Sequence, residues 1–281
     1  MEVIFESPRA ATAVTPVRET DLASLASAWK QNTSPFHHVV WPEIFKRDVA
    51  EIAYRDLLNY SRIQQKSFVK YEKRWEKLKF TQNKLELMPP SIAEIIRYLN
   101  SATFITKLEK VTGLQGLVAD DGLWGGGIHC TTRGGKLDIH NDFTILPTTY
   151  GQPKEWHRVL NLIVYLNASW TADWGGELEL WNSEMTTCES RLSPRFNQGV
   201  LFHTHGSNHG QPDPYNGPED QPRLSLATYY YQLVQPGSVA HRSTLYQIRP
   251  GETETEEERQ DRLDRADPSR YSKMLNPKAN N

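Results

Sequence analysis

Residues 134–143 read Gly-Gly-Lys-Leu-Asp-Ile-His-Asn-Asp-Phe, and this stretch decides how the rest of the chain is interpreted. Its alternation of apolar and polar residues predicts a β-strand. The alternation places His140 and Asp142 on the same face of that strand, so an imidazole nitrogen and a carboxylate oxygen could hold one metal ion from one side. Alone the pair is weak evidence, because a hydrogen-bonded surface pair has the same spacing.

Three histidines follow in residues 200–212, which read Val-Leu-Phe-His-Thr-His-Gly-Ser-Asn-His-Gly-Gln-Pro. Two histidines and one carboxylate on one face of an octahedral metal leave positions for a bidentate cosubstrate and dioxygen, as in non-haem Fe(II) oxygenases. We select His209 as the third ligand because glycine and proline beside it indicate a strand end that faces a cavity. His205 and His203 remain the alternatives, and the histidines that are not ligands would support the site structurally.

Arg223 and Ser225 begin the next predicted strand and share one of its faces. A guanidinium group binds a carboxylate through two parallel hydrogen bonds, and a hydroxyl group adds a third. A dicarboxylate cosubstrate that is held at the metal by one end needs such an anchor at the other end. The alternative is a surface arginine that pairs with Glu219 or Asp220.

These features, taken in this order, resemble the Fe(II)/2-oxoglutarate-dependent dioxygenases, and within them the prolyl-hydroxylase-like group. The resemblance runs from Phe36 to Tyr231 and is densest in five segments: 134–143, 161–167 (Asn-Leu-Ile-Val-Tyr-Leu-Asn), 174–181 (Trp-Gly-Gly-Glu-Leu-Glu-Leu-Trp), 209–212 (His-Gly-Gln-Pro) and 223–231 (Arg-Leu-Ser-Leu-Ala-Thr-Tyr-Tyr-Tyr). It departs from the family's usual pattern in the long connection of residues 211–222, which we interpret as an inert turn in preference to a substrate-facing lid.

The resemblance implies the roles of the site residues. His140, Asp142 and His209 would hold Fe(II), and Arg223 would bind the distal carboxylate of 2-oxoglutarate with Tyr165 beside it. Alternation also places Asn161 on the face that carries Tyr165, so both are cofactor-binding candidates along with Ser225; otherwise Tyr165 is a buried strand aromatic, and Asn161 needs some other hydrogen-bond partner.

The implied reaction consumes 2-oxoglutarate and O2 and releases succinate and CO2, with ascorbate as a candidate reductant. An aspartate at position 142 fills the place that related halogenases leave open for halide. The resemblance therefore favours hydroxylation over halogenation, and desaturation or ring formation would use the same metal ligands.

The order of predicted elements favours an α+β fold whose core is an antiparallel barrel or double sheet. The family resemblance implies that this core is a double-stranded β-helix (jelly roll). We expect a mainly helical support region over residues 1–116, a catalytic core over 117–240 and a polar, charged tail over 241–281, all in one integrated domain. The N-terminal helices are expected at 46–60, at 63–78, from residue 91, and in a first run that Asp21 caps and that includes Leu22, Leu25 and Trp29; a short strand is expected at 36–41. The core strands are expected at 136–143, 159–167, 176–181, 199–203 and 223–234.

The composition limits the classes of function that the chain can have. Its 281 residues carry a formal net charge of −2, which gives no general attraction to nucleic acid or to anionic lipid. No signal peptide or membrane span is expected, and two cysteines, Cys130 and Cys188, do not make a disulfide scaffold, so we expect a cytoplasmic protein. The basic, aromatic region 61–84 is interpreted as the solvated face of a helix, in preference to a surface for a phosphate-bearing substrate, a carrier protein or nucleic acid.

The substrate is the least defined part of the prediction. We expect hydroxylation of an unactivated C–H bond in a small biosynthetic intermediate, because no peptide-binding repeat is evident. A prolyl or other residue hydroxylase acting on a protein is the first alternative. A zinc hydrolase with the same three ligands would leave Arg223 and Ser225 without a role, and a non-catalytic jelly-roll binding module is the remaining alternative.

Overall fold

The computed structural model describes residues 22–149, 154–234 and 243–267. Its α-helices are α1 (Leu22–Gln31), α2 (Arg47–Ile63), α3 (Pro90–Leu99), α4 (Ala102–Thr112) and α5 (Glu256–Ala266). Its strands are β1 (His38–Trp41), β2 (Val69–Glu72), β3 (Glu76–Gln82), β4 (Leu117–Ala119), β5 (Gly127–Asn141), β6 (Glu155–Tyr165), β7 (Leu178–Trp181), β8 (Cys188–Leu192), β9 (Gln198–His203), β10 (Asn208–Gln211), β11 (Arg223–Val234) and β12 (Leu245–Tyr246).

The described strands form one curled antiparallel sheet, in which the order β1-β9-β6-β11-β5-β10-β7-β8 forms the main path. Strand β5 pairs with β11 through residues 127–131 and with β10 through its C-terminal half, so one long strand joins both walls of the curl. This confirms the predicted jelly-roll core. Because the sheet folds over itself, its concave face encloses a cavity.

The helices α2, α3 and α4 cover the convex face of the sheet. Strand β6 alternates Leu160, Leu162 and Val164, all fully buried, into one hydrophobic core with Leu57 and Ile96 of the helices. Each such aliphatic side chain contributes about 1.5–3 kcal/mol when it is buried. The residues between them face the opposite way, into the cavity, and this alternation fixes which β6 side chains are available for chemistry.

The predicted helix at 63–78 is wrong, because this segment forms the hairpin β2–β3. Its aromatic residues fit a helical stripe in sequence, but β3 pairs with the free edge of β5 from Glu76 to Gln82. Leu78 has a positive φ of 47°, where the register between β3 and β5 shifts, and Trp75 is buried at the hairpin turn. Pairing with an exposed strand edge has overridden the local helical pattern.

The other predicted elements correspond to elements of the structure with shifted ends. Strand β11 has the predicted bounds, whereas β5 begins nine residues before the predicted start at Lys136. The region before residue 117 contributes β1, β2 and β3 to the sheet as well as helices. The predicted boundary between Ala240 and His241 lies outside the described residues.

The described part of the C-terminal tail includes a docked helix. Thr255 and Glu258 form a capping box that starts α5. The Trp75 indole donates to Asp261 over 3.0 Å, and Arg74 pairs with Glu258 at 3.0 Å. These contacts fasten α5 to the hairpin β2–β3. Among the described helices, none is long and apolar enough to cross a membrane.

Candidate active site

His140, Asp142 and His209 meet on the concave face of the sheet. His140 of β5 and His209 of β10 are directly paired across the two strands, and their ring centroids lie 4.5 Å apart. The Asp142 carboxylate lies 3.6 Å from His140 Nε2 and 3.8 Å from His209 Nε2. Ligand atoms of all three residues lie within 4.8 Å of one another, which is close enough for one ion to contact all three.

Backbone carbonyl groups orient the two imidazoles. The Nδ1 atom of His140 is 2.9 Å from the Asp138 carbonyl oxygen, and that of His209 is 3.1 Å from the Ser207 carbonyl oxygen. A carbonyl oxygen only accepts, so each Nδ1 carries the proton and each Nε2 keeps its lone pair. Both lone pairs belong to atoms that face Asp142, which is the protonation state that metal binding requires.

Burial and neighbouring charges shift the pKa values of His209 and Asp142. Burial, reinforced by neighbouring His140, lowers the pKa of His209 to about 4, so its ring is neutral at physiological pH. Burial by itself raises the pKa of Asp142, but the Arg158 guanidinium and the two imidazoles together lower that pKa well below its ordinary value. These shifts favour a neutral imidazole at His209 and an ionised carboxylate at Asp142.

Arg223, Tyr165 and Ser225 form a polar pocket on the same concave face. The Arg223 Nε donates to the Gly176 carbonyl oxygen over 2.7 Å, and its Nη2 donates to the Tyr165 hydroxyl over 3.4 Å. Ser225 is paired with Tyr165 across β11 and β6. All three residues are buried and line the cavity that contains the His140–Asp142–His209 cluster, which has a volume of about 360 Å³.

Sequence comparison identifies the family. Residues 126–231, which include all six residues of the cluster and the polar pocket, match the sequence model of the 2OG-Fe(II) oxygenase superfamily, where 2OG is 2-oxoglutarate. This region is a 2OG-Fe(II) oxygenase domain. Its cofactor and cosubstrates are therefore Fe(II), 2-oxoglutarate and O2. A search of curated proteins found no significant match.

Solved structures share the oxygenase fold at low sequence identity. A prolyl hydroxylase from Trichoplax adhaerens, in complex with a hypoxia inducible factor oxygen degradation domain peptide fragment, is 16% identical, with a TM-score of 0.53 over 75% of this chain and 90% of that chain. A prolyl-4-hydroxylase from Pseudomonas putida is 16% identical, with a TM-score of 0.50 over 75% and 99% of the two chains. The non-heme alpha ketoglutarate dependent epimerase SnoN from nogalamycin biosynthesis is 12% identical, with a TM-score of 0.50 over 83% and 91%.

The remaining predicted residue of the oxygenase site, Asn161, lies beside Asp142. Its Nδ2 donates to Asp142 Oδ2 over 3.4 Å. It is paired with Tyr229 across β6 and β11, four residue pairs along the ladder from the Tyr165–Ser225 pair. The structure thus groups Asn161 with the candidate metal cluster, apart from the polar pocket around Arg223.

The other histidines occupy different surroundings. His203 and His205 line a second cavity of about 210 Å³. His129 lines the main cavity opposite Ser225, and burial together with nearby Lys79 lowers its pKa to about 3. His37 stacks on a core tryptophan at 5.5 Å between ring centroids.

The Cys130 thiol and the connection 211–222 are both packed against the protein. Burial raises the pKa of Cys130 to about 12, which leaves an unreactive thiol, as expected of a small buried hydrophobe. Within the connection 211–222, the buried Tyr215 stacks on Trp170 at 5.1 Å between ring centroids, and its amide donates to the Gly135 carbonyl oxygen. The connection is packed against the protein, as the interpretation of an inert turn requires.

Sequence reasoning missed the cavity walls outside the family motifs. Glu76 and Lys79 of the misassigned hairpin form an ion pair at 2.8 Å that lines the cavity, and Tyr246 of β12 packs against the His140 ring at 5.8 Å between centroids. Arg158 is the fourth residue that lines the cavity and that the sequence did not indicate. A β-bulge at Val159 shifts the register, so Arg158 faces inward although strict alternation places it on the helix-covered side.

Proposed function

We propose that this oxygenase hydroxylates an unactivated C–H bond of a small biosynthetic intermediate, with release of succinate and CO2. In this proposal His140, Asp142 and His209 hold Fe(II). Arg223 receives the distal carboxylate of 2-oxoglutarate, assisted by Tyr165 and the Ser225 hydroxyl. The observation that carries the proposal is that the three-residue cluster and the buried guanidinium line one cavity.

The cluster has the donor set that Fe(II) uses in this superfamily. Two imidazole nitrogens and one carboxylate on one side of an ion leave the opposite side for cosubstrate and dioxygen. Iron with bound 2-oxoglutarate supplies the oxidising power for breaking a C–H bond. The protein residues orient the ligands, hold the proton on each Nδ1 and keep bulk water away from the buried cluster.

Arg223 suits the distal carboxylate for a geometric reason. Its Nε is already bound to the Gly176 carbonyl oxygen, which fixes the plane of the guanidinium group. Gly176 has a φ of 70°, and a Cβ atom there would lie 3.4 Å from Arg223 Cδ, so the backbone approaches this side chain closely. The terminal nitrogens remain for a carboxylate, and burial makes that charge pair strong.

The shape of the cavity favours a small substrate. Its volume of about 360 Å³ lies within the ~300–1,000 Å³ of ordinary small-molecule sites. The hairpin β2–β3 and the β12 strand add walls beyond the jelly roll, through Lys79 and Tyr246. The similar folds include both a prolyl hydroxylase in complex with a peptide fragment and an epimerase from nogalamycin biosynthesis, so the fold by itself is compatible with either kind of substrate.

Succinate release tests the proposal. Purified enzyme with Fe(II), 2-oxoglutarate, ascorbate and O2 is incubated with fractionated small-metabolite pools and, separately, with peptide pools. The proposal expects a metabolite fraction to raise succinate formation above the substrate-free rate, with a product heavier by one oxygen atom. Stimulation by peptides alone would overturn the small-molecule assignment while leaving the oxygenase reaction intact.

A further inference from the structure

Arg158 is a buried cation beside the candidate metal cluster. It lies on β6 with a side chain that is 1% exposed, and it lines both the main cavity and the second cavity. Its guanidinium carbon is 3.5 Å from the ring centroid of Phe143 and 3.5 Å from that of Tyr229. Two aromatic faces at this distance sandwich the group and stabilise its charge.

Hydrogen bonds fix the orientation of the Arg158 guanidinium group within the plane of that group. Its Nε and Nη2 donate to the Tyr231 hydroxyl over 3.3 and 3.0 Å, and Nη2 also donates to the Trp124 carbonyl oxygen over 2.8 Å. Within the described ranges, Nη1 has no hydrogen-bond partner, and its charged neighbour is Asp142 Oδ1 at 3.5 Å. The Nε and Nη2 atoms of the guanidinium group thus form hydrogen bonds, whereas Nη1, which lies beside the candidate metal cluster, forms none with the described residues.

Among the described residues, Asp142 is the only carboxylate within ion-pair distance of this guanidinium, and in the proposed function Asp142 binds the metal. With the proposed ligands, one metal dication and Arg223 carry three positive charges, and Asp142 with 2-oxoglutarate carries three negative charges. The other cationic side chains that line the cavity have acidic partners: Lys79 pairs with Glu76 at 2.8 Å, and Arg265 pairs with an aspartate on α5. Arg158 then brings one further positive charge into a buried site, and the buried Asp120 carboxylate acts on it only from beyond ion-pair distance. A buried charge without a direct partner is costly.

We propose that the substrate carries a carboxylate group that binds Nη1 of Arg158. This inference rests on the proposed function, because Asp142 compensates Arg158 until a metal ion takes up its carboxylate. A carboxylate supplies a negative charge and the acceptor oxygen atoms that Nη1 lacks. A guanidinium group held by two rings and three hydrogen bonds loses little freedom on binding, so it selects the anion and orients it next to the cluster.

A binding experiment separates this inference from the proposed function. Under anaerobic conditions, the enzyme with Fe(II) and saturating 2-oxoglutarate is titrated with benzoate and, in parallel, with benzamide. The metal-to-ligand charge-transfer band reports binding without turnover. Formation of the band tests the proposed function, and its response to the two probes tests the carboxylate site. We expect a saturable shift with benzoate and binding of benzamide at least about tenfold weaker.

Substitutions test whether Arg158 is the side chain that causes the preference for benzoate over benzamide. Arg158→Gln should keep the band and lose the preference for benzoate, and Arg158→Lys should recover part of that preference because it keeps the charge. Tyr231→Phe, which removes one restraint on the guanidinium group, should weaken benzoate binding by a smaller factor. Arg191→Gln is the matched control, because it removes the same charge from a side chain that is 49% exposed, and it should behave as the unmodified enzyme.

Three results would overturn the inference. The first is equal or absent binding of the acid and the amide to the unmodified enzyme. The second is unchanged benzoate binding in Arg158→Gln. The third is loss of the band itself in both Arg158 variants while Arg191→Gln retains it, because Arg158 would then act by holding Asp142 for the metal.

Discussion

Replacing Arg223 by glutamine should raise the concentration of 2-oxoglutarate that the enzyme needs, with a much smaller effect on turnover at saturation. The glutamine side chain is shorter and neutral, so it keeps a polar group in the pocket but supplies neither the charge nor the planar pair of donors. The metal cluster is on other strands, β5 and β10, and should bind Fe(II) as before.

The size of the effect follows from the contacts. Two hydrogen bonds from a buried guanidinium to a carboxylate contribute about 1.5–3 kcal/mol each. Their loss corresponds to a rise in the dissociation constant on the order of a hundredfold to ten-thousandfold, at tenfold for each ~1.4 kcal/mol. Ser225→Ala removes one neutral donor worth about 0.5–1.5 kcal/mol, so its expected effect is about twofold to twelvefold.

The assay is a titration of 2-oxoglutarate into the anaerobic Fe(II) enzyme, followed by the charge-transfer band, together with succinate release at each concentration. Arg223→Lys keeps the charge without the planar donors and should lie between the unmodified enzyme and Arg223→Gln. An Arg223→Gln enzyme whose 2-oxoglutarate dependence is unchanged would show that the distal carboxylate binds elsewhere.

Three further perturbations test separate parts of the site. His140→Ala should abolish Fe(II) binding and turnover, measured by metal analysis and succinate release, whereas His205→Ala, outside the cluster, should retain both. Gly176→Ala should weaken 2-oxoglutarate binding and lower the melting temperature, because a residue with a side chain is strained at φ 70° and its Cβ would lie only 3.2 Å from the Trp170 ring, beside Arg223. His209 has a pKa of about 4 in the fold against about 6.5 in the unfolded chain, so the metal-free enzyme should lose stability as the pH falls from about 6.5 towards 4, and His209→Gln should flatten that part of the melting-temperature profile.

The sequence predicts those elements that a pattern of neighbouring residues marks. Period-two patterns predict the strand around His140 and the strand that begins at Arg223. The order of elements predicts a β core, and the family resemblance implies the jelly-roll class. The structure then brings these segments onto one concave face. The assignment of iron and 2-oxoglutarate to individual side chains remains a proposal that the geometry supports.

The features that the sequence does not predict depend on long-range pairing. The segment 63–78 has helical spacing of its aromatic residues, and the free edge of β5 turns it into a hairpin. Arg158 reaches the cavity through a bulge that no local pattern marks. Tyr246 joins the site because β12 pairs with β5 beside His140. Each depends on which strand edge is left open in the folded sheet, and that is a property of the whole topology.

The most direct measurement of the central claim is a crystal structure of the anaerobic complex with Fe(II) and 2-oxoglutarate, with anomalous diffraction recorded at the iron absorption edge. We predict one anomalous peak in contact with His140 Nε2, His209 Nε2 and the Asp142 carboxylate, and a distal carboxylate of 2-oxoglutarate on the Arg223 guanidinium. Iron bound at other side chains, or a distal carboxylate away from Arg223, would contradict it.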